Sequence, residues 1–315
     1  MRLSVLDQSP IIQGSNARRA VEETLALARR ADELGYHRYW LAEHHAIAAL
    51  ADPSPEILAA RVASATSRIR VGTGGVLMPY YSPLKIAEQF RMLEALFPGR
   101  IDLGLGRAPG GDPRTALALM DGEYPGAERM PQQIRDLVGF LDAALPSAHP
   151  YAKVRAQPAG ATSPEIWVLG SSDYGGALAA QLGLRFAFAH FISAFGGEVV
   201  ARAYRQQYEP SERAPGPYSL VCAFVICAKT RAEAGPIDHP RSIAAAPKRS
   251  WRTFAATPPN RPFPCGGPSC SGIGRPGRSR SLNCSPIRSG GSICIGCRSF
   301  STRASGYISR GSRRP

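Results

Sequence analysis

Two adjacent imidazoles, His44 and His45, follow the run Tyr39-Trp40-Leu41-Ala42 and the carboxylate Glu43. A histidine at a strand end can serve as a general base near neutral pH or hold a polar intermediate by hydrogen bonds. Taken alone, the pair fits equally well a strand end where one ring caps and the other is solvated. Metal ligation is not expected, because no third ligand stands at a suitable spacing. Further on, Arg107 follows Gly104-Leu105-Gly106 and precedes Ala108-Pro109-Gly110, a guanidinium on lean backbone suited to bidentate phosphate contact. The spacing is not a dinucleotide fingerprint, since Pro109 would obstruct the required helix start. A loop arginine is otherwise a surface ion-pair partner. Gly170-Ser171-Ser172-Asp173-Tyr174 reads as a helix start able to receive an anion, or as an ordinary serine cap that needs no ligand. Gly72-Thr73-Gly74-Gly75 is the remaining anomaly, because glycine weakens a strand unless a ligand or another backbone must come close.

These residues need elements that bring them to one surface. The first 229 residues alternate short β-like runs with amphipathic helices, the pattern of a parallel sheet with helical crossovers. Strands are expected over Leu3–Asp7, Tyr39–Glu43, Ile69–Leu77, Ile101–Leu105, Ile166–Leu169, Phe186–Ala189 and Tyr218–Ala228. Helices are expected over Ala17–Leu34, Pro55–Thr66, Pro83–Leu96, Pro131–Ala144, Tyr174–Leu182 and Glu198–Tyr208, with a long loop from Gly106 to Pro131 carrying one helical turn. The fold class implied is a TIM-type (β/α)8 α/β barrel, whose C-terminal strand ends form the active face. Only seven β/α steps are visible, so the barrel is expected to be truncated after strand seven. The loops Ile47–Pro53 and Asp112–Met130 would shape the substrate site.

The charge of +14 over 315 residues suggests a nucleic-acid partner until it is located. Residues 1–229 hold 23 Lys and Arg against 22 Asp and Glu, whereas residues 230–315 hold 15 against 2. Leu and Val fall from 36 in the first segment to Leu282 alone in the second, where Arg, Ser, Pro and Gly supply 50 of 86 residues. The barrel segment is therefore nearly neutral, and the second segment cannot build much of a core. No apolar run approaches the roughly 18 residues of a membrane span, and the run before Asp7 is too short for a secretory leader. With only Cys222 and Cys227 in the first segment, a reducing, cytoplasmic setting is expected.

The chain carries, in order, Leu6-Asp7-Gln8-Ser9-Pro10, Leu41-Ala42-Glu43-His44-His45, Ile69 through Val76, Tyr81-Ser82-Pro83-Leu84-Lys85, Glu88-Gln89-Phe90 and Phe97 through Arg107. Through these motifs the first 229 residues resemble the bacterial-luciferase-like, flavin-dependent monooxygenases. The resemblance implies a barrel that binds reduced FMN delivered by a separate flavin reductase and oxygenates a small organic substrate through a C4a-peroxyflavin. His44 would be the catalytic histidine and His45 a substrate-pocket residue. Arg107, Ser171 and Ser172 would contact the flavin phosphate, and Gly74-Gly75 would form a non-prolyl cis peptide beneath the ring. Pairing into a homodimer is also implied. The nearest rival is a deazaflavin (F420)-dependent dehydrogenase of the same superfamily, followed by a flavin-binding protein without turnover.

Residues 230–315 admit other readings. Cys294 and Cys297 form a single CxxC, with Cys265, Cys270 and Cys284 upstream, which is weak evidence for zinc; a disordered, basic nucleic-acid-binding tail is another reading. The preferred reading is a shift of coding frame between about Thr230 and Pro240, since out-of-frame translation of a GC-rich gene yields this composition. Strands one and seven would then be open edges, and the product an inactive, truncated barrel.

Overall fold

A computed structural model describes residues 2–107, 111–123, 126–193, 195–225 and 292–297. Parallel strands close into a barrel in chain order. They are β1 (Arg2–Asp7), β2 (Arg38–Leu41), β3 (Arg70–Leu77), β4 (Ile101–Gly106), β5 (Glu165–Gly170), β6 (Arg185–Ala189), β7 (Ser219–Val225) and β8 (Ser292–Cys297). The helices are α1 (Ala17–Glu33), α2 (Pro55–Ala65), α3 (Pro83–Leu96), α4 (Pro113–Leu119), α5 (Met130–Asp142), α6 (Asp173–Gln181) and α7 (Gly197–Gln206). Their starts follow local chemistry. Asn16 caps α1 by accepting the Arg19 N–H at 3.0 Å, and Pro55, Pro83 and Pro113 open α2, α3 and α4, where a missing N–H leaves no helical bond unmade.

Strand alternation sorts the side chains into two layers. Tyr39 and Leu41 face outward and pack with Leu25, Ala28, Leu58 and Val62 of α1 and α2. Trp40, with Leu6, Trp167, Ala187, Leu220 and Cys222, fills the barrel interior, where the two indoles meet edge to face at 5.2 Å. At the N-terminal end of the strands the interior becomes ionic. Asp102 accepts from Arg38 at 3.0 Å, Arg70 Nε at 2.8 Å and Trp40 Nε1 at 2.9 Å, and Glu165 accepts a second Arg38 nitrogen at 2.8 Å.

Much of the recurring sequence pattern is architectural. Asp7 accepts from the Ser9 N–H, Thr24 Oγ1 and Tyr39 OH at 2.6–2.8 Å, tying β1 to α1 and β2. Glu94 receives the N–H groups of Gly99 and Ile101, and the Arg100 guanidinium donates to the carbonyls of Ala63, Thr66 and Ile69. Together they fix the turn from α3 into β4.

The α/β barrel agrees with the sequence expectation, and among the described residues the regular alternation of strand and helix stops after β7. Its expected open edges are corrected. Ser292–Cys297, from a segment where no strand is expected, pairs with β7 from Leu220↔Ser292 to Val225↔Cys297 and with β1 from Arg2↔Ser292 to Leu6↔Gly296. Two strand edges offer unpaired N–H and C=O groups, and the Ile293, Ile295 alternation is a period-two signal that the surrounding Arg, Ser and Gly obscure. The long loop after β4 holds more helix than the single turn expected, namely the seven residues of α4 and a short 3-10 turn at Ala127–Arg129. The end of the expected seventh strand at Ala228, the basic tail apart from β8, and Cys265, Cys270 and Cys284 lie outside the described residues.

Replacing Asp102 by Asn should lower the unfolding free energy by about 3–5 kcal/mol, the range for removing one partner of a buried ion pair. The check is a reduced urea midpoint at unchanged slope; an unchanged midpoint would remove Asp102 as the organising charge.

Candidate active site

Parallel topology places the ends of β2, β3, β4 and β5 side by side on one face. His44 follows β2 and stands two residues beyond Ala42, which lines the barrel interior with Trp40. Its backbone N–H donates to the Asp52 carbonyl at 3.3 Å, and its Nδ1 is buried with no hydrogen-bond partner among the described residues. Burial first, and the neighbouring His45 second, lower its pKa, so the ring is held neutral at neutral pH. Neither imidazole is a simple cap or a solvated group, for His45 Nε2 lies 2.6 Å from Glu43 Oε1 and its ring stands edge-on to Tyr80.

Beside them, β3 carries the peptide Gly74-Gly75 in the cis form. The pairing of β3 with β4 jumps from Thr73↔Leu103 to Val76↔Leu105, so both glycines lie in an irregularity of the sheet. A Cβ on Gly74 would come within 2.6 Å of Leu6 Cδ1, and one on Gly75 within 2.6 Å of the Gly104 carbonyl oxygen. Only glycine fits either position without displacing the wall.

Arg107, after β4, is exposed and stacks its guanidinium 4.4 Å from the centre of the Tyr174 ring, in the first turn of α6. Ser172 occupies the N-cap of that helix yet makes no side-chain capping bond, while Asp173 Oδ1 accepts the Tyr174 N–H at 2.8 Å. The structure thus brings Arg107 to the helix start that carries Ser171 and Ser172, and sets His44 and His45 on the neighbouring strand end to Gly74-Gly75. A cleft of about 350 Å³ lined by Glu165, Arg185 and Arg213 opens elsewhere, at the N-terminal ends of β5 and β6.

Two acids escape the sequence reading. Glu43 also accepts from Tyr81 OH at 2.6 Å and from the Leu77 N–H at 2.9 Å. Asp52 is buried, with Oδ1 receiving the Ser54 N–H at 3.1 Å and Oδ2 without a partner among the described residues. Burial raises its pKa to about 7; the Ser54 N–H opposes the shift, and Asp7, Glu56 and Glu43 add to it. The acid directly before two histidines is the one available signal for Glu43, whereas the surroundings of Asp52 exist only once β1, β2 and α2 converge.

The model of the luciferase-like monooxygenase family matches residues 1–236, and the chain belongs to that family. It is 48% identical over 232 residues to the uncharacterized protein YwcH of Bacillus subtilis, covering 74% of this chain and 70% of that protein. A luciferase-like monooxygenase of Escherichia coli K12 is 45% identical over 259 residues, covering 81% and 75%. The crystal structure of apo-MsnO8 superposes with a TM-score of 0.69 at 42% identity, over 74% of this chain and 68% of that one. Two more distant structures share the fold. They are the oxygenating constituent of 3,6-diketocamphane monooxygenase from Pseudomonas putida in complex with FMN (20% identity, TM-score 0.56, 74% and 69% covered) and an F420-dependent secondary alcohol dehydrogenase (17%, 0.54, 74% and 72%). No helix among the described residues is long and apolar enough to cross a membrane.

Asp52 gives a pH prediction. An aspartate in the unfolded chain titrates near about 3.9, below the folded value of about 7, so the folded state holds more protons between these values. Stability should fall as pH rises through that window, by up to about 1.4 kcal/mol per unit, and level off above it. In Asp52→Asn this contribution should vanish, making the variant the more stable protein at pH 8 but not at pH 4. Urea midpoints at both pH values decide it, and parallel pH dependences would refute it.

Proposed function

We propose that this chain is an oxygenase that takes reduced FMN from a separate flavin reductase and uses dioxygen to oxygenate a small organic substrate in the cytoplasm. One arrangement carries the reading: four successive strand ends bring together a histidine with a buried, unbonded ring nitrogen, a Gly-Gly cis peptide, and an arginine stacked at a helix start whose N-cap serine makes no capping bond.

The residues present fit a flavin mononucleotide. Arg107, Ser171, Ser172 and the N-terminal N–H groups of α6 would hold the phosphate. Gly74 and Gly75 would meet the ring with bare backbone. Reduced FMN supplies the electrons with which dioxygen is activated. His44, kept neutral by burial, would accept or release a proton at a ring nitrogen, and His45 would border the substrate. Leu6, Trp40 and Trp167 beneath them would exclude water from the reacting atoms. Ile57 on α2 and Met92 and Leu96 on α3 are exposed apolar side chains, which supports pairing of two copies.

Residues beyond about 230 are, in the same proposal, translated out of the barrel's frame. The family match ends at residue 236, close to where the charge and the Leu and Val content change. Sequencing the coding DNA across codons 230–240 should reveal a second frame that restores a Leu- and Glu-rich helix followed by a strand. Absence of such a frame would leave the written sequence as the native one.

With a flavin reductase present, the chain should bind reduced FMN and show substrate-dependent oxygen uptake. His44→Ala should retain flavin but lose product formation by about a hundredfold or more. Arg107→Ala should weaken FMN binding about tenfold or more, as expected for a lost charge-assisted bond. Binding of F420 with hydride transfer and no oxygen uptake would instead define a dehydrogenase. Full product formation by His44→Ala would remove the histidine from the chemistry.

A further inference from the structure

The carboxylate of Glu43 is buried, its side chain 1% exposed, and it is surrounded by donors from three places. Oε1 lies 2.6 Å from His45 Nε2 and accepts from Tyr81 OH at 2.6 Å, and Oε2 accepts the Leu77 N–H at 2.9 Å. Tyr81 keeps its proton, because burial and the carboxylate both raise its pKa. The remaining titratable groups around the cluster are His44 on the same segment, Asp52 and Glu56 at the approach to α2, and Tyr80 on the turn after β3.

A neutral imidazole that donates from Nε2 has only Nδ1 left, and that atom can then only accept. His45 Nδ1 makes no hydrogen bond among the described residues, and the side chain is 12% exposed. The same carboxylate grips β3 through Leu77, two residues beyond Gly75, so the ring orientation and the cis-peptide wall share one anchor.

We propose that Glu43 is a positioning residue that locks His45 in the Nε2–H tautomer, so that the site presents His45 Nδ1 as an acceptor for an O–H or N–H group of the substrate. What Nδ1 accepts from rests on the oxygenase reading; the tautomer lock does not. The lock favours substrates that carry such a donor beside the atom to be oxygenated, and it leaves His44 as the proton-handling group.

Long-range proton–nitrogen NMR of the full chain without flavin reads the tautomers directly, with the His45 signals assigned by their loss in His45→Gln. At pH 8 His45 should show a protonated Nε2 and a bare Nδ1. Glu43→Gln, whose amide can donate, should mix or reverse that pattern, while Tyr81→Phe should preserve it. In the oxygenase assay Glu43→Gln should raise KM about tenfold for a donor-bearing substrate, with a smaller change in kcat. A wild-type His45 that is Nδ1–H or doubly protonated, or a Glu43→Gln spectrum like wild type, overturns the lock. An unchanged KM overturns the acceptor role. Failure to bind flavin with the tautomer pattern intact refutes the oxygenase reading and leaves the lock standing.

Discussion

Asp102 sits inside the barrel with no exposure to solvent and receives hydrogen bonds from Arg38 and Trp40 of β2 and Arg70 of β3. A buried guanidinium is tolerable only with its counter-charge in place, so β2, β3 and β4 must meet in one register before any of these charges is satisfied. Glu165 extends the constraint to β5 through Arg38 and contacts Arg185 of β6 at 3.5 Å. The four strands locked at this end are those whose opposite ends carry His44, Gly74-Gly75, Arg107 and Ser171-Ser172. A charge network at one mouth of the barrel thereby aligns the candidate site at the other, with the Trp40–Trp167 layer between them transmitting little play.

Carboxylates also organise the upper rim, by accepting backbone and hydroxyl donors rather than by pairing with guanidinium groups. Asp7 gathers Ser9, Thr24 and Tyr39, and Glu43 gathers His45, Leu77 and Tyr81. Between them the loop after β2 is stitched to the loop after β1, with the Ile11 N–H donating to Ala49 at 2.7 Å and the Ala51 N–H to Ser9 at 2.9 Å. Asp52 lies at the end of that stitched loop, where burial first and neighbouring acids second work against its ionisation. The rim is thus ordered by polar contacts, whereas the layer beneath α1 and α2 is apolar.

The sequence was most legible where one signal sufficed. Alternation and proline or glycine boundaries located the first seven strands and all the longer helices to within a few residues, and the family-like motifs pointed to Gly74-Gly75 as a cis peptide, which the structure contains. The meeting of Arg107 with the start of α6 follows from strand order alone once the barrel is assumed. Ser292–Cys297 was illegible because its two isoleucines stand in a stretch of Arg, Ser and Gly, and its place depends on the two edges that receive it. Glu43 and Asp52 were missed for a related reason: a carboxylate's role is set by which donors and charges surround it, and those arrive from elements distant in sequence.

The alternation along β2 also bears on how such a protein can diverge. Within β2, Arg38 and Trp40 share one side, continued by Ala42 just past the strand, while Tyr39 and Leu41 share the other. A single-residue insertion within the strand would exchange the two sets, turning the Arg38 and Trp40 side chains that meet Asp102 outward and bringing Tyr39 and Leu41 into the barrel. Loops beyond the strand end can change length without disturbing that assignment. New substrate preferences are therefore accessible to a lineage through loop variation, whereas the barrel interior is inherited as a reading of odd and even positions.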